Sequence, residues 1–154
     1  MTDPRGAGSL PRNPDGKIPK RVASVVMLMA RARVLQRALK REERRLERHR
    51  SSNSLSLVTG MPMMTFFNLY LACMHTLIEA WDKSYLYDHK VYSLLKKGYG
   101  PKLEGFRNAV FHAEPWDDIR VVRVYDKHRD VRAWADQLID AIGHFFRREL
   151  RRTP

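Results

Sequence analysis

Residues 62–84 read PMMTFFNLYLACMHTLIEAWDKS, and the reading of this stretch decides the fold. Pro62 suits the first turn of a helix, where a missing N–H has no intrahelical partner to lose. After it, Met63, Met64, Phe66, Phe67, Leu69, Tyr70, Leu71, Cys73, Met74, Leu77, Ile78 and Trp81 leave almost no polar face. A helix that is apolar nearly all round is buried in a protein core or in a bilayer. This one is barely long enough to cross a membrane, and Asn68, His75 and Glu79 interrupt it. The expectation is a central core helix running to about Ser84, with no membrane involved. Its polar exceptions are ordered. Asn68, His75, Glu79 and Asp82 follow one another at steps of seven, four and three, so they share one stripe. The stripe reads either as satisfied rim groups, with His75 bonded to Glu79, or as one wall of a site.

Working outward toward the N-terminus, residues 1–16 hold three prolines and three glycines without apolar periodicity, which predicts a disordered lead. A single helical domain is expected over 17–154. From about Lys17 to His49, Val25, Leu28, Ala32, Leu35, Leu39 and Leu46 alternate steps of three and four, with Glu42 in the one missing seat. A partner helix, from this chain or another copy, is needed to bury that seam. Residues 51–54, Ser-Ser-Asn-Ser, end the helix and open a loop to Gly60.

Toward the C-terminus, Asp88 is placed to cap a short helix to Lys97. Gly98-Tyr99-Gly100-Pro101 reads as a turn into a helix running from Lys102 to a stop at Pro115. On that helix Leu103, Phe106, Val110 and Ala113 share one side, Asn108 and His112 the other, and Arg107 the flank. Residues 116–129 read as a helical turn or ordered loop, because Val121–Tyr125 has strand-like composition but no second strand to pair with. Asp130 then caps a last helix with an apolar stripe of Val131, Trp134, Leu138, Ile142, Phe145 and Phe146. The sum is an all-α bundle of four to five helices.

The net charge of +12 is concentrated: residues 17–50 carry twelve Lys/Arg against three Glu, and residues 147–152 carry four Arg against one Glu. A positive pole of this kind attracts polyanions, and Arg41, Arg44, Arg45 and Arg48 are the expected contacts to an RNA backbone. Cys73 is the only cysteine and has no partner for an internal disulfide, and the first residues carry no apolar leader, so a cytoplasmic protein is expected. No His-x-x-x-His or Cys-x-x-Cys spacing supports a metal, no Gly-rich phosphate loop follows a strand, and no cofactor is expected.

Arg107 and His112 are separated by four residues. A chain with this many arginines and six histidines yields about two such pairs by chance, and three occur: Arg44 with His49, Arg107 with His112 and Arg123 with His128. Context selects the second, which alone combines an apolar helical backing, a polar residue after the arginine and a proline stop. In this context the segment Arg107-Asn108-Ala109-Val110-Phe111-His112 resembles the HEPN superfamily (higher eukaryotes and prokaryotes nucleotide-binding domain). The ribonucleases of that superfamily carry arginine, often a polar residue, and then histidine after four to six intervening positions. The apolar helix with Leu77-Ile78-Glu79-Ala80-Trp81 and the last helix with Trp134 are similar too, and the resemblance covers roughly residues 60–150.

The resemblance implies an endoribonuclease of the toxin or phage-defence kind, acting as a homodimer with a composite site and possible control by a regulatory protein partner. One family pattern is absent: toxins silenced by a companion nucleotidyltransferase place a tyrosine two residues after the histidine, where this chain has Glu114. Cutting RNA through its own 2′-hydroxyl needs a base, a donor for the leaving oxygen and positive charge on the phosphorane-like transition state, but no metal. Histidine exchanges protons near neutrality, which suits His112 to the proton role. Arg107 offers a rigid fork of donors for phosphate, and Asn108 is placed to fix the imidazole or touch the phosphate. His75 and Glu79 are expected to orient these groups. The alternative is a non-catalytic RNA-binding or partner-docking helical module. A membrane-surface role for the basic first helix fits less well, since its seam has coiled-coil spacing.

Overall fold

The computed structural model describes residue 10 and residues 18–49, 57–112, 124 and 127–151, with side chains described for all of these except 49, 57–60 and 128. Among the described residues five helices have defined bounds: α1 (Lys20–His49), α2 (Leu57–Lys83), α3 (His89–Leu95), α4 (Gly100–Phe111) and α5 (His128–Arg151). No strand occurs among the described residues. Most of the expected lead (residues 1–16) and most of the 116–129 segment lie outside the described residues. Leu10 is half-buried against the core, and Val124 is helical and buried.

α2 is the hub. It packs along α1, against α4 and against α5, while α3 packs on α5. The seam of α1 is therefore covered within the chain. Val25, Ala32 and Leu39 are fully buried, and Leu28 and Leu35 are half-buried against them. The two long helices run antiparallel, with Cys73 Sγ lying 3.8 Å from the Leu28 carbonyl. On α2, Phe67, Tyr70, Leu71, Met74, Leu77 and Trp81 are buried. Met61–Lys83 is long and apolar enough to cross a membrane by length and composition alone, and in this fold it is the core helix.

The start of α2 differs from the sequence expectation. The helix begins at Leu57, so Pro62 sits inside it rather than in its first turn. Proline there removes only the N–H that would reach the carbonyl of residue 58, a single bond close to the helix end. The helix stops without a glycine. Tyr85 takes a left-handed φ of 53°, while Ser84 donates through both its N–H and its hydroxyl to the Ala80 carbonyl. α3 begins as anticipated: the Asp88 side chain accepts from the Lys90 and Val91 N–H groups at 3.0 and 3.1 Å. Gly98, at φ 77°, then turns the chain into α4, whose first turn contains Pro101.

α5 begins three residues earlier than anticipated, so Asp130 lies in its first turn instead of at its cap. All six expected apolar positions are buried. Trp81 meets Phe145 edge-on at 5.1 Å, and the Trp134 indole donates to the Leu94 carbonyl at 2.8 Å. Gly143 does not break the helix. A Cβ there would stand 3.2 Å from Arg33 Nη2, and the bare backbone lets that guanidinium reach the Ile139 carbonyl and Asp140.

Candidate functional site at the contact of α2 and α4

The orientation of α4 is set by its apolar side. Leu103 and Phe106 are fully buried and Ala109 nearly so. Burying side chains of the Leu and Phe size is worth about 1.5–3 kcal/mol each, more than the roughly 0.5–1.5 kcal/mol net of one hydrogen bond, so packing decides the rotation of the helix and polar groups adapt to it. That rotation puts Arg107 on the flank toward α2, half-buried.

There the guanidinium meets the polar stripe of α2. Arg107 Nη1 donates to Glu79 Oε2 at 3.2 Å and lies 3.3 Å from His75 Nδ1. Its Nε and Nη2 donate to Asn108 Oδ1 at 3.2 and 2.9 Å. The His75 and Glu79 side chains are themselves 3.9 Å apart. An arginine has five N–H donors, and four meet partners among the described residues, which leaves one on Nη2 without a partner among them. At 3.9 Å the His75 and Glu79 side chains are neighbours without a hydrogen bond, and both face Arg107. Asp82 is exposed at the end of the stripe.

His75 is buried, and its environment disfavours the charged ring. Burial is the larger cause of its lowered pKa and the Arg107 guanidinium the second, with Glu79 and Glu104 acting in opposition. Because a guanidinium only donates, His75 Nδ1 faces it as an acceptor and the ring proton resides on Nε2.

His112 stands apart from this cluster. α4 ends at Phe111, and His112 is its C-cap, exposed, with φ −90° and ψ 9°. The anticipated side-chain pairing of Asn108 with His112 across one turn is replaced by a backbone bond, the His112 N–H donating to the Asn108 carbonyl at 3.0 Å, while the Asn108 amide holds Arg107. The helix ends too soon for His112 to lie on its face. Pro115, the expected stop, lies outside the described residues.

The basic residues of α1 fall elsewhere. Arg41, Arg44 and Arg48 are exposed, and Arg44 and Arg48 each donate Nε to the carbonyl four residues back. Arg45 is half-buried, with Nε 3.2 Å from Glu42 Oε2. Arg44 is sixteen residues beyond Leu28, the point at which α1 crosses Cys73, and His75 and Glu79 lie two and six residues further along the antiparallel α2, so Arg44 stands about 30 Å along the axis from the level of the α2 cluster.

A second polar cluster escaped the sequence reading. Asp136 on α5 accepts from the fully buried Tyr70 hydroxyl and from Gln36 Nε2, both at 2.8 Å, with Lys40 Nζ at 3.6 Å. Burial first, and Asp136 second, push the Tyr70 phenol far above its ordinary range. The one signal available was an aspartate between Ala135 and Leu138 on an apolar stripe. Burial also raises the Cys73 thiol, which disfavours a thiolate nucleophile. Among the described residues, no three His, Cys, Asp or Glu side chains converge as a metal site. No family model matches the chain, and neither the curated proteins nor the solved structures contain a match.

Proposed function

We propose that the protein is a metal-independent endoribonuclease of the HEPN kind, in which Arg107 and His112 act on the phosphodiester and two copies complete the site. The observation that carries this reading is the placement of Arg107. It is gripped by Asn108, Glu79 and His75 at the α2–α4 contact, with a free histidine at the end of the same helix. The RNA 2′-oxygen attacks phosphorus, the 5′-oxygen leaves, one histidine accepts the 2′-hydroxyl proton, and a second group protonates the leaving oxygen. Arg107 stabilises the charge gathered on the phosphoryl oxygens. One exposed histidine fills only one of the two proton roles, and a homodimer with α4 near its twofold supplies the other.

Incubation of the wild type and His112→Ala with total RNA tests this. Cleavage persists in EDTA and leaves 2′,3′-cyclic phosphate and 5′-hydroxyl ends. A single 2′-deoxy nucleotide at the scissile position blocks it, and His112→Ala abolishes it. Activity lost with EDTA, or retained in full by His112→Ala, overturns the mechanism. Light scattering that shows only monomer, with cleavage first order in protein, overturns the composite site. A second reading has its own support: four of the five Arg107 N–H donors are already satisfied inside the chain, as in a purely structural role. In that reading the chain is an RNA-binding or partner-docking module, and it binds RNA without cutting it.

A further inference from the structure

α1 carries a row of guanidinium groups whose membership the ion pairs of the fold decide. Arg33, Lys40 and Arg45 are taken up by carboxylates, Asp140, Asp136 and Glu42 respectively. Glu43 is taken up by Arg132 from α5. Arg37, Arg41, Arg44 and Arg48 are all exposed and have no carboxylate partner among the described residues. At 100° per residue these four fall within about 60° of arc, and they cover about 16 Å of helix. Three of them lie back along α1, Arg37, Arg44 and Arg48 each donating Nε to the carbonyl four residues earlier. The row is therefore a continuous cationic track on the outer face of α1, aligned with the helix axis.

We propose that this track binds the phosphates of the same RNA strand that is cut at the α2–α4 cluster, so that the substrate is a polymer reaching from one to the other. The inference rests on the ribonuclease reading and adds the length of the substrate and the residues that hold it. The distance sets the length. Arg44 stands about 30 Å along α1 from the level of the cluster, and a stacked strand advances about 3.4 Å per nucleotide, so about nine nucleotides separate the cut from the middle of the track. A dinucleotide or trinucleotide touches one place or the other. The track also differs from the expected set. Arg37 joins it and Arg45 leaves it, because Arg45 is turned toward Glu42. An anionic lipid surface is the less suitable partner, because a membrane-surface helix needs apolar side chains flanking its cations. Of the exposed apolar residues of α1, Val26 and Met27 lie more than two turns before the track, and only Val34 borders it.

The test measures binding apart from cleavage. Fluorescence anisotropy of an RNA of about 20 nucleotides is followed with the full chain carrying His112→Ala, from about 50 to about 300 mM salt, with and without R37Q, R41Q, R44Q and R48Q together. Each phosphate contact on a single strand contributes about 0.7 to the log–log salt slope, so the quadruple variant is expected to bind with a slope shallower by about 3 and at least about tenfold more weakly at 100 mM salt. The four side chains are exposed, and an unchanged helical circular dichroism spectrum confirms that the fold is retained. An unchanged slope overturns the track, as does release of the quadruple variant from phosphatidylserine-containing vesicles with RNA binding intact. In the wild type, cleavage efficiency is expected to climb as the RNA lengthens from about 4 to about 14 nucleotides, and equal efficiency at both lengths overturns the bridging. If no RNA is cut at any length while the slope still falls, the ribonuclease reading fails and the track stands.

Discussion

Replacing His75 with glutamine removes the site histidine whose charged form folding disfavours. The pKa of His75 lies below its ordinary value of 6.5, mainly because the ring is buried and secondly because Arg107 faces it. The sign follows from the protons bound in each state. Below about pH 6.5 the unfolded chain protonates this residue before the folded chain does, so stability is fully present above that pH and is lost as pH falls toward the folded pKa. The limiting slope for one proton is about 1.4 kcal/mol per pH unit, and each unit of depression contributes that much in total. A glutamine carbonyl accepts from Arg107 at any pH and lacks this dependence. Urea unfolding of both proteins between about pH 5 and pH 8 isolates the effect, since His89, His112 and His144 are exposed in both and cancel. Above about pH 7 the stability difference is expected to be constant. Below about pH 6.5 it moves against the wild type by up to about 1.4 kcal/mol per unit, then flattens. Arg107→Gln is expected to narrow this window without closing it, because burial is the larger cause. A difference that stays flat refutes the reasoning, and one that turns in favour of the wild type on acidification means that Glu79 stabilises the charged ring.

Asp136→Ala strands the buried Tyr70 hydroxyl and the Gln36 amide, at about 1–3 kcal/mol each, whereas Tyr70→Phe leaves Asp136 with its Gln36 bond and is expected to lose about 1–2 kcal/mol. Denaturant midpoints check the order, and equal losses refute it. Tyr85→Gly relieves a left-handed backbone at a side chain that is 76% exposed, so a gain of about 0.5 kcal/mol is expected in thermal melts, and a loss shows that the ring packs in solution. Glu79→Gln keeps a carbonyl acceptor for Arg107 while removing the carboxylate that competes with phosphate. Anisotropy is expected to show tighter RNA binding, and weaker binding makes Glu79 a positioning group for Arg107 instead.

The sequence by itself determined the helices, because local rules govern them. The three-and-four spacing of Val25, Ala32 and Leu39, the nearly unbroken apolar surface of residues 62–84 and the Asp88 cap all act within a few residues. The same spacing put Arg107 on the flank of its helix. What Arg107 touches was a different matter. His75 and Glu79 lie 32 and 28 residues away, and they meet it only because Leu103 and Phe106 lock the rotation of α4 against α2. Asp136 and Tyr70 are 66 residues apart and pair for the same reason. Element ends were decided late as well. Pro62 is tolerated one turn inside α2, Tyr85 accepts a left-handed backbone, and His112 becomes a cap because α4 stops at Phe111. In each case a local preference of about 1–3 kcal/mol yields to the burial of several large side chains at once, and that sum exists only when distant helices meet.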